Sequence, residues 1–254
     1  MKHIIIKSPA QVEGIRRSSK LATETLNFVA SLIKPGVSTL TLNDAAHQFI
    51  IDHHAIPAPL GYNGFPKSIC TSINNVVCHG IPSATDILKK GDIINIDITT
   101  ILDSFYGDTS ATYPVGNVPE KTKKLLNRTK QALDLAIAAL APNKYLNRCI
   151  GQTIEEYLTP FNYGIVRMLG GHGVGVDFHE EPFVFHYNTH QDDVLLKPGM
   201  IFTVEPMVNS SPDYNVTIDK KDGWTVRTND GALSCQFEHT VLITPTGHEI
   251  LTKL

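Results

Sequence analysis

The fold of this 254-residue chain is decided by the stretch Asp92-Ile-Ile-Asn-Ile-Asp-Ile-Thr-Thr100, in which apolar and polar side chains alternate. Successive side chains of a β-strand point to opposite faces, so one face is built of isoleucines and the other of polar residues that include Asp97. A second strand-like run, residues 105–113, contains Asp108. If the chain reverses near residues 102–103, the two runs form an antiparallel hairpin and Asp97 lies near Asp108.

Two carboxylates this close would repel each other, and one would be pushed to protonate unless a cation lies between them. A bound metal ion is the natural cation for such a pair. From Asp97 and Asp108 alone, the alternative that both side chains face solvent at strand ends stays open.

Working outward, the pattern of helices and strands occurs twice. Helical periodicity is present over residues 9–34, 41–49, 119–140 and 153–158. Thr41 with Asp44 resembles a capping pair, which predicts that the second helix begins there. Strand-like runs are present at residues 68–74, 92–100, 105–113, 201–205 and 233–243. Two tandem α-α-β-β units predict a pseudo-symmetric α+β fold. With no flexible linker between them, we expect a single domain over 1–254, with halves of about 9–118 and 119–254.

Composition excludes several classes of protein. A net charge of −3 gives no concentrated positive face for DNA or a membrane surface. No apolar run approaches the length of a membrane span or of a signal peptide, so we expect a cytoplasmic protein. The four cysteines form no CxxC pair, which predicts free thiols.

The second half of the sequence supplies three more candidate metal ligands. His172 lies among four glycines, Glu205 ends an apolar run before a proline, and Glu238 interrupts a strand-like segment. A carboxylate in such apolar surroundings is costly unless it is paired or bound to metal. With Asp97 and Asp108, the set carries four negative charges, which two divalent ions would neutralise.

These positions and their neighbours resemble the type I methionine aminopeptidases, in the short bacterial form. Seven motifs carry the resemblance: Asn-Asn-Val-Val-Cys-His-Gly-Ile-Pro (74–82), Asn-Ile-Asp (95–97), Gly-Asp-Thr-Ser (107–110), Gly-His-Gly-Val-Gly (171–175), Phe-His-Glu-Glu-Pro (178–182), Phe-Thr-Val-Glu-Pro-Met (202–207) and Phe-Glu-His-Thr (237–240). The resemblance implies the pseudo-two-fold pita-bread fold, with antiparallel sheet lining the site and helices packed behind it. It also implies removal of the initiator methionine when the second residue is small, by attack of a metal-bridging hydroxide on the first peptide bond.

The resemblance also implies a role for each site residue. Two divalent ions, manganese, iron(II), cobalt or zinc, would be held by Asp97, Asp108, His172, Glu205 and Glu238, with Asp108 and Glu238 bridging. Glu205 would shuttle the proton, His179 would bind the scissile carbonyl oxygen and His79 would act near the scissile nitrogen. Thr99 and Thr203 lie two positions from ligands and would orient carboxylates.

A methionine pocket is implied on the same grounds. Aromatic and thiol surface suits a flexible thioether. The residues that would bind substrate are Tyr62, Phe65, Cys70, His79, Phe178, His179 and Trp224. Four positions depart from the common pattern of the family: Pro59, Phe65, Gly170 and Asp177.

The partners expected from the resemblance are peptides and nascent chains with N-terminal methionine, for a monomeric enzyme. A transient ribosome contact through the lysine-rich stretch 120–130 is the lesser alternative to a solvated helix face. Two rival functions stay open. A prolidase-like enzyme would use the same five ligands but usually has a separate N-terminal domain. A non-catalytic peptide-binding or ribosome-binding member of the fold would lack some of these ligands.

Overall fold

The computed structural model describes residues 3–190 and 194–253, and its first helix is α1, Pro9–Ser31. α1 begins at a capping box, in which the Ser8 hydroxyl accepts from the Gln11 N–H and the Gln11 side chain accepts from the Ser8 N–H. Its apolar face, including Ile15 and Leu26, is buried. The predicted helix over 9–34 is confirmed and ends three residues earlier than expected.

Helix α2, Thr39–Asp52, begins before the position that the sequence suggested. Ser38 is the capping residue, and its hydroxyl accepts from the Thr41 N–H at 3.1 Å. Thr41 is therefore inside the first turn, and the prediction of a Thr41–Asp44 capping pair is wrong. A serine three residues upstream satisfies the free N–H groups of the helix end equally well.

The first sheet is built on the predicted hairpin. β4, Ile93–Leu102, pairs antiparallel with β5, Phe105–Pro114, and the turn residues Asp103 and Ser104 both have positive φ, 51° and 67°. β1, Ile56–Pro57, and β2, Cys70–Ile73, flank β4 in the order β1-β4-β2. The isoleucines at 94, 96 and 98 are 0% exposed and pack in one core cluster with α1 and α2. The alternation predicted for this stretch is confirmed.

The second half again begins with helices, α3 at Glu120–Ala138 and α4 at Thr153–Leu158. The strands that follow are β6 Gly164–Ile165, β7 Gly171–Gly173, β8 Glu180–Val184, β9 Ile201–Val204, β10 Met207–Asn209, β11 Val216–Ile218, β12 Val226–Thr228, β13 Ser234–Gln236, β14 His239–Ile243 and β15 His248–Ile250. The run predicted at 233–243 is thus two strands, with Phe237 and Glu238 between them. α3 packs on β10 and β13.

The strands of the second half form three antiparallel sheets, one of which also contains β3, Val76–Cys78, from the first half. The strand orders are β15-β14-β9-β7-β8, β13-β10-β6 and β11-β12-β3. The two halves join where Ala111 of β5 bridges Phe237 and the Thr240 hydroxyl donates to the Asp108 carbonyl at 2.7 Å. The sheets therefore meet around Asp108, with helices on the outside.

Two further expectations can be compared with this fold. Cys70, Cys78, Cys149 and Cys235 are all free and buried, as predicted. Within the two described ranges, no helix combines the length and apolar character needed to cross a bilayer.

Candidate active site

A cavity of about 460 Å³ opens where the sheets of the two halves meet. Its wall contains every residue that the sequence analysis assigned to metal binding, catalysis or substrate binding: Tyr62, Phe65, Cys70, His79, Asp97, Asp108, His172, Phe178, His179, Glu205, Trp224 and Glu238. Side chains separated by up to 176 positions (238 − 62) in the sequence are brought together here.

Three carboxylates form the centre of the cavity floor. One oxygen from each of Asp97, Asp108 and Glu238 lies within 4.8 Å of the other two. The strand register explains part of this arrangement, because Asp97 is opposite Ser110 and Asp108 is therefore its diagonal neighbour on the same face. Glu238 is placed by its own N–H, which donates to the Ser110 carbonyl at 2.9 Å.

His172 and Glu205 complete the set from the second half. The His172 Nε2 atom lies 3.8 Å from Asp108 Oδ2 and 3.8 Å from Glu205 Oε1. His172 is in β7 and Glu205 directly follows β9, and these two strands pair antiparallel. Thr203 joins both residues: its hydroxyl accepts from the His172 N–H at 3.0 Å and donates to Glu205 Oε1 at 2.6 Å.

The electrostatics of this group fit divalent cations. Burial, followed by mutual repulsion, raises the pKa of Asp108 and of Glu238 well above normal, and burial raises the pKa of Asp97 to about 7. Burial likewise raises the pKa of Glu205 and lowers that of His172 to about 4. Three buried carboxylates and the half-buried Asp97, beside a neutral imidazole, lack compensating positive charge, and a metal ion would supply it. Oxygen donors with one imidazole suit manganese, iron, cobalt or zinc.

Each threonine that was expected to orient a carboxylate contacts one. The Thr99 hydroxyl donates to Asp108 Oδ1 at 2.8 Å, and not to Asp97, which is two positions away in sequence. Thr99 lies directly opposite Asp108 in the β4–β5 register, so the contact runs across the strands. Thr203 contacts Glu205, as predicted.

Two polar residues that the sequence analysis did not select also contact Glu205. The Gln236 side chain donates to Glu205 Oε2 at 3.0 Å, and the Glu205 N–H donates to His186 Nε2 at 2.9 Å. Both residues are buried. Gln236 could have been found from its spacing, since it lies two residues before Glu238 in a strand-like segment. His186 carries no comparable signal.

The histidines expected to contact substrate lie at the edge of the carboxylate group. The His179 and His172 ring centroids are 4.2 Å apart, and His179 Nδ1 is hydrogen-bonded to the Tyr62 hydroxyl at 2.9 Å. Desolvation, with His172 and His79 nearby, lowers the pKa of His179 to about 3 although part of the ring reaches the open cavity. His179 is therefore neutral at pH 7, with one ring nitrogen committed to Tyr62.

Aromatic rings form the other side of the cavity. Phe65 meets Trp224 edge to face at 5.3 Å between centroids, and His79 meets the same indole at 6.0 Å. Phe178 packs on Tyr62 at 4.8 Å. These rings form a surface on which an apolar side chain can pack.

Three of the four departures from the family pattern lie in this cavity. Pro59, Phe65 and Gly170 line it, and Asp177 is exposed. A Cβ atom at Gly170 would lie 2.7 Å from the Phe183 ring and 2.5 Å from the Val184 carbonyl oxygen. The Phe183 ring therefore occupies space beside this glycine that a larger residue would need.

Comparison with known proteins identifies the family of this chain. The model of metallopeptidase family M24 matches residues 13–245. A methionine aminopeptidase of Rickettsia prowazekii is 51% identical over 238 residues, which are 94% of this chain and 91% of that protein. A methionine aminopeptidase of Escherichia coli K12 is 46% identical over 250 residues, 98% of this chain and 94% of that protein.

The fold agrees as well. The crystal structure of methionine aminopeptidase from Rickettsia prowazekii superposes with a TM-score of 0.95 at 49% identity, over 99% of this chain and 100% of that one. The expected pita-bread arrangement of helices and antiparallel sheet is thereby confirmed. Since the family model covers most of the sequence and relatives about half identical to it align over nearly its full length, the chain belongs to metallopeptidase family M24 and, within it, to the methionine aminopeptidases.

Proposed function

We propose that this chain removes the initiator methionine from nascent polypeptides in the cytosol, using two divalent ions held by Asp97, Asp108, His172, Glu205 and Glu238. The observation that carries the proposal is the convergence of four carboxylates, three of them buried, and one imidazole in a single cavity. Membership in the methionine aminopeptidases gives the reaction class, and the proposal adds the residues that perform it.

The arrangement of the ligands supports two ions. Asp108 belongs to two groups at once, one with Asp97 and Glu238 and the other with His172 and Glu205. Asp108 would therefore be shared by the two ions, and Glu238 is given the same shared role by the resemblance to the family. Bound divalent ions would neutralise the carboxylates and lower the pKa of a water molecule at the site. Manganese, iron(II), cobalt and zinc all suit these donors.

Proton transfer is assigned to Glu205. Thr203 donates to one of its oxygens and Gln236 to the other, so the carboxylate is fixed in orientation before substrate binds. It can take a proton from the attacking water and return it to the leaving amine.

We assign to His179 the role of binding the scissile carbonyl oxygen. If the Tyr62 hydroxyl donates to Nδ1, the neutral imidazole carries its proton on Nε2. That N–H can donate to the carbonyl oxygen as negative charge develops there. His79, whose ring meets the Trp224 indole, is assigned to the scissile nitrogen.

Selectivity for methionine is assigned to the aromatic side of the cavity. Phe65, Trp224 and Cys70 offer ring edges and a thiol to a thioether, and Tyr62 and Phe178 border the same space. Exopeptidase action follows if the free amine of the substrate binds at the ion site, since an internal peptide has no such group.

The deciding experiment compares the rates at which the enzyme cleaves the peptides Met-Ala-Ser and Leu-Ala-Ser. The rates are measured first with chelator and then with each metal restored. We expect cleavage that is selective for methionine, lost with chelator and absent in Glu205→Ala, whereas Glu24→Ala on the outer helix is unaffected. Equal turnover of the leucine peptide would refute the assigned selectivity. Preference for an X-Pro peptide would favour the prolidase-like rival.

The monomeric state stays a prediction. The ribosome contact through α3 stays the lesser alternative to a solvated helix face. On that helix Lys123 pairs with Glu120 and Lys130 with Asp134 at the exposed surface. These pairs are what a solvated helix face would show.

A further inference from the structure

A buried ion pair joins the beginning of the chain to the loop that carries His179. The Lys7 ammonium contacts Glu180 Oε2, and the two side chains are only 1% and 2% exposed. Burial lowers the pKa of Lys7, and the nearby Glu180 and Asp177 carboxylates oppose that change. Removing one partner of such a pair leaves an uncompensated charge in the interior, which is strongly unfavourable.

The other oxygen of Glu180 organises the loop itself. Glu180 Oε1 accepts from the Val176 N–H at 2.7 Å and from the Asp177 N–H at 3.0 Å. The carboxylate thus closes residues 176–180 into a compact turn around itself. Asp177, Phe178 and His179 lie inside that turn.

Lys7 approaches this turn from a segment that is fixed in place. Its backbone N–H donates to the Gly199 carbonyl at 2.9 Å, and a Cβ atom at Gly199 would lie 2.8 Å from the Ile6 side chain. On the opposite side, the Tyr106 N–H donates to the Gly175 carbonyl at 2.9 Å. The turn is therefore held at its base from both sides, while its tip faces the cavity.

We propose that Lys7 is a positioning residue for His179, acting through the Glu180 carboxylate that folds the 176–180 turn. This inference rests on the role proposed above for His179 at the scissile carbonyl oxygen. Without the ammonium, the buried carboxylate is driven toward solvent, its two backbone hydrogen bonds are lost, and His179 moves away from Tyr62 and from the substrate.

Two variants separate charge from packing. Lys7→Met removes the ammonium and keeps most of the aliphatic stem. Lys7→Met combined with Glu180→Gln removes both charges, while the glutamine oxygen can still accept from the two N–H groups of the turn. If the ion pair acts through the folded turn, the double variant recovers activity that the single variant loses.

The experiment measures kcat and KM for Met-Ala-Ser with metal-loaded enzyme, along with metal content and thermal unfolding, in the wild-type and His179→Ala backgrounds. We expect Lys7→Met to lower kcat about 10- to 100-fold, because small misplacements of a catalytic group have effects of this size. KM should change less than about threefold, and metal content should be unchanged. Adding Glu180→Gln to Lys7→Met should raise kcat at least about fivefold above that of Lys7→Met alone. Lys130→Met, which breaks a surface pair, serves as the control.

The His179→Ala background distinguishes positioning from a general structural role. There, Lys7→Met should cause no further loss of kcat, while its effect on thermal unfolding stays the same. An equal fold-loss in both backgrounds, or an unchanged kcat in Lys7→Met alone, overturns the inference. Full activity of His179→Ala overturns the role proposed for His179, and the inference with it. Should Lys7→Met fail to fold, the double variant keeps the inference falsifiable: a folded double variant with kcat as low as that of His179→Ala overturns it.

Discussion

Thr203→Val tests whether the hydroxyl between His172 and Glu205 holds the proposed ligands in place. The substitution keeps a β-branched side chain of similar shape in strand β9. It removes the donor to Glu205 Oε1 and the acceptor for the His172 N–H. Thr203 is 0% exposed, so bulk water does not take the place of its hydroxyl.

The expected magnitude follows from these two contacts. A hydrogen bond to a charged group contributes about 1.5–3 kcal/mol, and a buried N–H left without a partner costs about 1–3 kcal/mol. Because the two effects share one atom and are not additive, we expect a loss of about 2–4 kcal/mol in the free energy of unfolding. For a chain of this size that is a fall in Tm of roughly 5–15 °C. Misdirected ligands should lower kcat/KM about 10- to 100-fold.

The assay combines thermal unfolding with kcat/KM for Met-Ala-Ser at saturating metal. Thr129→Val is the matched control: Thr129 is also 0% exposed, lies outside the cavity, and its hydroxyl donates to the Leu125 carbonyl within α3. We expect that control to cost about 1 kcal/mol and to leave kcat/KM unchanged. If Thr203→Val loses no more stability than Thr129→Val and keeps full activity, the assignment of Thr203 as a support for the ligands is refuted.

Two more perturbations test the electrostatics of the cavity. In chelator-treated protein, the carboxylates should lower Tm as pH rises from 5 to 7, an effect that bound metal should remove; thermal unfolding of the wild-type and Asp97→Asn proteins at constant ionic strength isolates it. Burial raises the pKa of Asp97 to about 7 and also raises the pKa values of its carboxylate neighbours, so below pH 7 the folded state keeps protons that the unfolded state has lost, and stability falls as pH rises. An identical pH dependence of the two metal-free proteins would contradict the raised pKa values. Tyr62→Phe should lower kcat about tenfold with little change in KM, because the phenolic hydrogen bond that sets the His179 tautomer is lost while the ring remains; unchanged steady-state kinetics would show that the hydroxyl has no such role.

The parts of the fold that follow local rules could be predicted from the sequence. Alternation in β4 identified both its buried isoleucine face and its polar face, because a strand separates them with a period of two. The turn at Asp103–Ser104 was anticipated within one residue. The bounds of the short strands β6, β7 and β8 were not predicted, because segments such as Gly171–Gly173 have no hydrophobic periodicity. Their strand conformation comes from pairing with neighbours.

The proposed ligands could be selected from the sequence, but most of their supports could not. A carboxylate in an apolar run, such as Glu205, is conspicuous because its burial is costly. The contact between Thr99 and Asp108 depends on the register of two strands, which one sequence does not specify. The pairing of Lys7 with Glu180 joins residues 173 positions apart, and neither residue differs locally from an ordinary surface charge.

The origin of the ligands in distant strands makes enzymatic activity a sensitive reporter of chain integrity. Asp97 and Glu238 are 141 positions apart (238 − 97), and the intervening sequence includes a whole helical layer. No fragment lacking either end of that interval contains the complete set, so a nick that separates the pieces or a truncation before Glu238 should abolish turnover rather than reduce it. Recovery of catalysis after denaturation would therefore follow the last long-range sheet contacts to form, well after helices such as α1 are in place.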